Sequence, residues 1–261
     1  MDENASPQET HGSDRKHFDE FDVSRQDVRR DQLARWKRSD IAQHKGEGMG
    51  EIILVRHGQA NSAATTEEDY DRLSSLGHEQ AKLLGQWMRA HDYAFDHVVS
   101  GTLRRHRETV EGMGWSADED ARLNEIDYFR LTDAMHTVKG EPMPTPETFS
   151  DHMPKVFEAW QRAEIEGQES YENFESRVAD LLQDAASPGR RVLCVTSGGV
   201  IGMVLRQILG LDLLRMSHVM LPIWNTSIHR LTVRDDKAFL AGFNAIPHLD
   251  HPERAEARTH F

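Results

Sequence analysis

The stretch that decides the fold is Glu51–Ala60, which reads EIILVRHGQA. Ile52, Ile53, Leu54 and Val55 are apolar without alternation and mostly β-branched. Such a short continuous run is expected of a strand buried on both faces, inside a parallel sheet. It ends in Arg56 and His57, two residues able to handle an anion, at the carboxyl end of the strand. Gly58 follows, and its lack of a Cβ lets the chain turn and approach a ligand closely. An arginine guanidinium is a planar fork matched to phosphate oxygens. A neutral imidazole beside it can attack phosphorus.

Outward from this stretch, strands and helices alternate. LGHEQAKLLGQWMRA, from Leu76 to Ala90, carries apolar residues at helical spacing, with His78 and Gln80 expected to face solvent and Trp87 and Met88 to pack. Phe95–Ser100 reads as a second strand, followed by a polar helix from Leu103 to about Gly112. Thr145-Pro146-Glu147 reads as a helix start, with Thr as N-cap and Pro in the first turn. Helical periodicity then runs to about Ala186, broken near Gly167–Ser170. Arg191–Thr196 is another buried strand, and Val200–Leu209 a helix stopped by Gly210. Ser227–Val233 and Ala238–Phe243 are closing strands around the turn Arg234–Lys237. This order predicts an α/β fold: a three-layer α/β/α sandwich whose mostly parallel sheet is covered by helices on both faces. Ligands bind such sheets beyond the carboxyl ends of the strands. That rule selects the loops Arg56–Asn61, Ser100–Arg105 and Thr196–Gly199. The second brings backbone N–H groups and some of Arg104, Arg105 and Arg107 to one face. In the third, Thr196 or Ser197 can cap a helix or hold a phosphate, with Gly198 and Gly199 leaving backbone donors open.

Composition sets the bounds. The chain has 261 residues, 38% hydrophobic and 29% charged, with a formal net charge of -13. So acidic a protein is not expected to bind nucleic acid, and an anionic ligand needs a local cationic pocket. Val200–Leu214 is the most apolar segment, but Arg206, Gln207 and Asp212 interrupt it, so no membrane partner is expected. The start, MDENASPQET, lacks the apolar core of a secretory signal. With the single Cys194 in RVLCV, the expected setting is a reduced cytoplasm. Residues 1–48 are polar, end in KGEGMG and are expected to form a disordered extension, with RWKR at Arg35–Arg38 as a basic patch; residues 49–261 form the folded domain. His248, Asp250 and His251 lie in a polar tail without a supporting ligand cluster, so no metal site is expected.

LVRHGQ, LSSLGHEQAKLLG, SGTLRRHRET, LNEID and the TSGG strand end occur in this order, followed by LPIWNTSIHRL and FNAIPHL. From about Glu51 to Leu249 the sequence resembles the histidine phosphatase superfamily, the phosphoglycerate-mutase-like fold. The resemblance implies that His57 is a nucleophile that becomes phosphorylated and that Arg56 and Arg105 clamp the phosphoryl oxygens. Asn61, Ser197 and Gly198 would add contacts to the substrate. Glu125 would protonate the leaving oxygen, with Asp127 or Asp133 as other holders of that role. No cofactor and no metal are implied, and the partner is a small phosphorylated substrate; oligomeric state is not readable.

One position departs from the pattern. The family usually carries a second histidine at a strand end where this chain has Ser197. A hydroxyl donates one hydrogen bond but carries no charge, and losing a charge-assisted donor costs about 3 kcal/mol, roughly a hundredfold in rate. His106, His136, His152 and His218 are candidates to replace it in space. The reading is therefore a phosphohistidine-dependent phosphomonoesterase with weakened or specialised chemistry. A phosphoglycerate-type mutase and a phosphate-binding pseudophosphatase are the alternatives. On sequence alone, Ser197→His is expected to raise activity or leave it unchanged. Substrate choice is assigned to Ile126–Ser170, through residues such as Tyr128, Phe129, Arg130, His136 and Lys139.

Overall fold

A computed structural model of the chain describes residues 49–61, 64, 66–235 and 237–260. The expected 1–48 extension, Arg35–Arg38 included, lies outside the described residues. Strand β1 (Gly50–Arg56) is the centre of a six-stranded sheet. The other strands are β2 (His97–Ser100), β3 (Asp118–Glu119), β4 (Arg191–Thr196), β5 (Ile228–Arg234) and β6 (Lys237–Ala245), in the order β3-β2-β4-β1-β5-β6. The β3–β2, β2–β4 and β4–β1 pairings are parallel, and β1–β5 and β5–β6 are antiparallel. The sheet is thus mixed, its parallel part lying on the side that carries the three selected loops.

The apolar run of β1 divides between two cores because successive side chains point to opposite faces. Ile52 and Leu54 join Val192, Cys194 and Leu231 beneath one layer of helices. That layer comprises α4 (Tyr128–Lys139), α5 (Phe149–Gln161), α6 (Tyr171–Ala185), α7 (Gly198–Leu209) and α8 (Leu213–Met220). Ile53 and Val55 join Leu193, Val195 and Ile228 beneath α2 (Ser75–Ala90) and α3 (Arg104–Met113). A short helix, α1 (Glu67–Tyr70), precedes α2. These are the expected layers.

Several expectations shift in detail. Thr145-Pro146-Glu147 does not start a helix: the Thr145 N–H bonds Thr148 Oγ1 at 2.9 Å, forming a turn, and α5 begins at Phe149. Helix α4 lies within the span assigned to substrate choice, anchored by buried Leu131, Thr132 and Met135. Gln80 is not solvent-facing. It is wholly buried, its Oε1 accepting from Gln59 N at 2.8 Å and its Nε2 donating to Ala257 O at 2.7 Å and Thr259 Oγ1 at 2.9 Å. It therefore ties the turn after β1 to the C-terminal segment.

Candidate active site

The three loops meet at the carboxyl ends of β1, β2 and β4. Arg56 faces Thr196 in the β1–β4 register, and the His57 N–H donates to Thr196 O at 2.9 Å. Beyond His57 the chain packs backbone to backbone on the start of α2. A Cβ on Gly58 would meet Gly77 O, and one on Gly77 would collide with Gln59, so both positions exclude a side chain. The Gly58 N–H donates to Thr109 Oγ1 at 3.0 Å, and that hydroxyl donates to Arg105 O at 2.7 Å. Helix α3 is thereby fixed to the turn that carries His57.

His57 is 2% exposed, and its Nδ1 lies 2.7 Å from Gly58 O. A carbonyl oxygen only accepts, so Nδ1 carries the proton and the lone pair resides on Nε2. Burial first, then the charges of Arg105 and Arg56 and the neighbouring His106, hold the imidazole well below its ordinary pKa. It is neutral at neutral pH.

Arg105 is fully buried at the start of α3. Asp71 accepts from its backbone N–H at 3.1 Å and its Nη1 at 3.2 Å, and from the Arg104 N–H at 2.9 Å. Of the three arginines named for this loop, Arg104 and Arg107 are turned away to other carboxylates, the part-buried Glu108 and the more exposed Glu119. Arg56 donates from Nη1 to Ile223 O, and to His260 O at 2.8 Å. It also interacts electrostatically with Glu125 and Arg105. Gly198 opens α7 against the Arg56 guanidinium, where a Cβ would stand 3.8 Å from Nε.

Glu125 is half-buried, its Oε2 accepting from the Gly199 N–H at 2.9 Å and its Oε1 from the Ile126 N–H at 3.0 Å. Of the other two carboxylates considered, Asp127 caps α4 and Asp133 is exposed. Ser197 is fully buried and does not cap α7; its Oγ lies 2.7 Å from His106 Nε2. Asn61 directs its amide N–H to Asp69 O at 3.1 Å. His57, Arg56, Arg105, Ser197, Gly198 and Glu125 therefore share one locus, with Asn61 engaged by the loop next to it.

Two residues of this locus carry no signal in the sequence, or an ambiguous one. Tyr70, at the end of α1, sets its ring edge-on to His57, with centroids 6.4 Å apart, and 5.0 Å from the Arg105 guanidinium carbon. Its hydroxyl also interacts electrostatically with the Arg56 side chain. Nothing in EEDYD predicts this. His106, one of four histidines considered, is wholly buried with its ring 5.6 Å from that of His57. Of the others, His136 and His218 lie outside the buried core, while His152 is buried against Tyr128. His248 is buried and pairs with Thr226 Oγ1 at 2.8 Å, a structural hydrogen bond between the β5 approach and the tail.

Fold and pocket define an α/β protein that presents a neutral imidazole between two guanidinium groups at the carboxyl edge of its sheet. The chain belongs to the histidine phosphatase superfamily (branch 1), whose family model matches residues 52–246. It is 34% identical over 110 residues to the mitochondrial serine/threonine-protein phosphatase Pgam5 of Drosophila willistoni, covering 41% of this chain and 34% of that one. It is 26% identical over 226 residues to the probable phosphoglycerate mutase GpmB of Shigella dysenteriae, covering 78% of this chain and 97% of that protein. A phosphoserine phosphatase variant from Entamoeba histolytica, solved with phosphoserine, superposes with a TM-score of 0.58 at 20% identity, over 77% of this chain and 99% of that chain. The chain thus spans about a third of the length of the fly relative. The expected cytoplasmic setting is contradicted, because the Pgam5 relatives from fly and frog are named mitochondrial. A lone buried cysteine has no pairing partner in any compartment, so the cysteine count carried no address. Among the described residues, no helix is long and apolar enough to cross a membrane.

Proposed function

We propose that the protein is a phosphoric monoester hydrolase working through a phosphohistidine on His57. The observation that carries this reading is the 2.7 Å contact between His57 Nδ1 and Gly58 O, which leaves Nε2 as the free nucleophile in a buried cationic pocket. Arg56 and Arg105 would hold the phosphoryl oxygens, and burial makes their charge more effective than it would be in water. Nε2 attacks phosphorus, the bond to the ester oxygen breaks, and that oxygen takes a proton from Glu125. Water then attacks the phosphohistidine, giving its proton to the Glu125 carboxylate and releasing phosphate with Nε2 restored.

Support for Glu125 is its position. It interacts with Arg56 on one side and lines a cavity of about 310 Å³ on the other, together with Asn124, Asp127, Trp160 and Arg177. The phosphatase names among relatives and structural neighbours favour hydrolysis. The match along nearly all of GpmB favours a second reading, phosphoryl return to a bound product.

The test uses the full chain in EDTA with p-nitrophenyl phosphate, phosphoserine and 3-phosphoglycerate. Phosphate release by the wild type and its loss in His57→Ala are expected. Isomerised 3-phosphoglycerate without free phosphate would establish the mutase instead. Vanadate binding without turnover of any substrate would establish a binding protein.

A further inference from the structure

A second imidazole stands beside the nucleophile, and hydrolysis as proposed gives it no task. His106 is completely buried, and its ring lies 5.6 Å from that of His57 at an interplanar angle of 37°. Its Nε2 is 2.7 Å from the Oγ of Ser197, which is itself completely buried and brought there from 91 residues away. Its Nδ1 is buried without a hydrogen-bond partner among the described residues and faces Gly101, where even a Cβ would collide with it.

This geometry selects a tautomer. A buried N–H left without an acceptor is a heavy desolvation cost, greater than that of an idle lone pair. The proton therefore belongs on Nε2, and His106 donates to Ser197 Oγ. Burial, reinforced by Arg105, holds the ring well below its ordinary pKa, in keeping with a neutral donor. With its oxygen accepting from His106, Ser197 has its own O–H free to donate elsewhere. It does not bond the helix it precedes, although the N-cap position invites such a bond. Its neighbour Gly198 lies against the Arg56 guanidinium and its partner His106 lies beside His57, so the hydroxyl stands at the edge of that site.

We infer that His106 is a positioning residue: it turns the Ser197 hydroxyl so that its proton points at a phosphoryl oxygen held by the two arginines. The pair does together what neither residue does alone. Ser197 reaches the anion, and His106 fixes the rotation of a hydroxyl that would otherwise lose entropy on each binding event. The inference rests on the phosphatase reading and sharpens it.

The test contrasts two side chains of similar shape at one position. His106→Gln keeps an N–H within reach of Ser197, whereas His106→Met fills the space without a donor. On p-nitrophenyl phosphate with the full chain, His106→Met and Ser197→Ala are each expected to lower kcat about tenfold. The double variant is expected to be no slower than either single one, and His106→Gln to recover most of the wild-type rate. Melting temperatures are followed in parallel, since a purely packing role would favour Met over Gln. Multiplying losses in the double variant, or a Met variant as fast as the Gln variant, would overturn the inference. The phosphatase reading fails on a different result, equal turnover by the wild type and His57→Ala, and takes the inference with it.

Discussion

Gly199→Ala isolates the role of Glu125 without touching a charged residue. A methyl group on Gly199 would overlap Glu125 Oε1 and stand 3.0 Å from its Cδ and 3.2 Å from Oε2. Since the backbone of α7 cannot yield, the carboxyl group must rotate away and lose the 2.9 Å bond from the Gly199 N–H. Breaking one charge-assisted bond costs about 1.5–3 kcal/mol, while alanine for glycine in the first turn of a helix returns up to about 1 kcal/mol. With the full return, the fold should therefore lose only about 0.5–2 kcal/mol. Activity should suffer selectively. Phosphoserine must expel an aliphatic alkoxide and depends on a proton donor, so its kcat should fall on the order of a hundredfold or more. p-Nitrophenyl phosphate expels an anion stable enough to leave unprotonated and should fall far less. Glu125→Gln should show the same divergence, as measured by phosphate release in parallel assays. Equal losses on both substrates would refute the proton-donor role and leave Glu125 as a packing and capping residue.

Ser197→His should now lower activity, reversing the expectation drawn from sequence alone. The space an imidazole needs at that position is occupied by His106, 2.7 Å from Ser197 Oγ. Overpacking there should cost about 1–3 kcal/mol, and kcat together with the melting temperature should recover in Ser197→His/His106→Ala; a single variant as stable and active as wild type would exclude the clash. Asp71→Ala removes the acceptor for the Arg104 and Arg105 N–H groups and for the Arg105 guanidinium. It should cost about 1–2 kcal/mol as a lost helix cap and weaken vanadate binding, which isothermal titration would register; unchanged affinity would show that Arg105 holds its place without it. Stability should fall with acid. His57, His106, His229 and His248 are buried with pKa values below the ordinary 6.5, about 3 for the last two, with burial the leading cause. Their folded values are depressed, so the unfolded chain binds the extra protons below about pH 6.5, and their contribution, complete above that value, is lost as pH drops. Between pH 6.5 and 5.5 each should remove about 1 kcal/mol. Denaturant unfolding across this window reads the sum, and a flat profile would contradict neutral, buried rings.

The sheet was legible where one side-chain pattern had one cause. Ile52 to Val55 are apolar in succession because both faces of β1 are covered, and RVLCV in β4 repeats the pattern for the same reason. Strand β3 was not legible: Asp118 and Glu119 are exposed and exist as a strand only through pairing with Val99 and Ser100. Helix α4 buries only Leu131, Thr132 and Met135, too narrow a stripe to stand out from the loop-rich sequence around it. Gln80 defeated the amphipathic pattern because its burial serves three hydrogen bonds from other segments, which helical periodicity does not encode. At the site, Arg56 and His57 sit on the strand that the fold rule identifies, so local sequence sufficed. Choosing Arg105 over Arg104 and Arg107, or His106 over three other histidines, requires the rotation of α3 relative to β4, a long-range property.

What fixes His57 is mostly main chain. The Arg56–His57 backbone is engaged on both edges: His57 N donates to Thr196 O, and on the other side His57 O accepts from Asn225 Nδ2 at 3.2 Å. Thr226 N approaches Arg56 O at 3.1 Å and His57 O at 3.3 Å. To make these contacts Thr226 adopts φ 58°, a left-handed conformation that a β-branched residue resists by about 1–3 kcal/mol. Its hydroxyl is held by Asn225 O at 2.7 Å and His248 at 2.8 Å, so the strained residue is fixed from both ends. Strain at this point is what the proposed role of His57 would require of its support. A ring set by the ends of β1 and β4 and by the approach to β5 would bring its lone pair to phosphorus without reorganisation, and rate would then depend on the few side chains that remain free to turn. Those are the Ser197 hydroxyl, held by His106, and the Glu125 carboxyl, held by the Gly199 and Ile126 N–H groups.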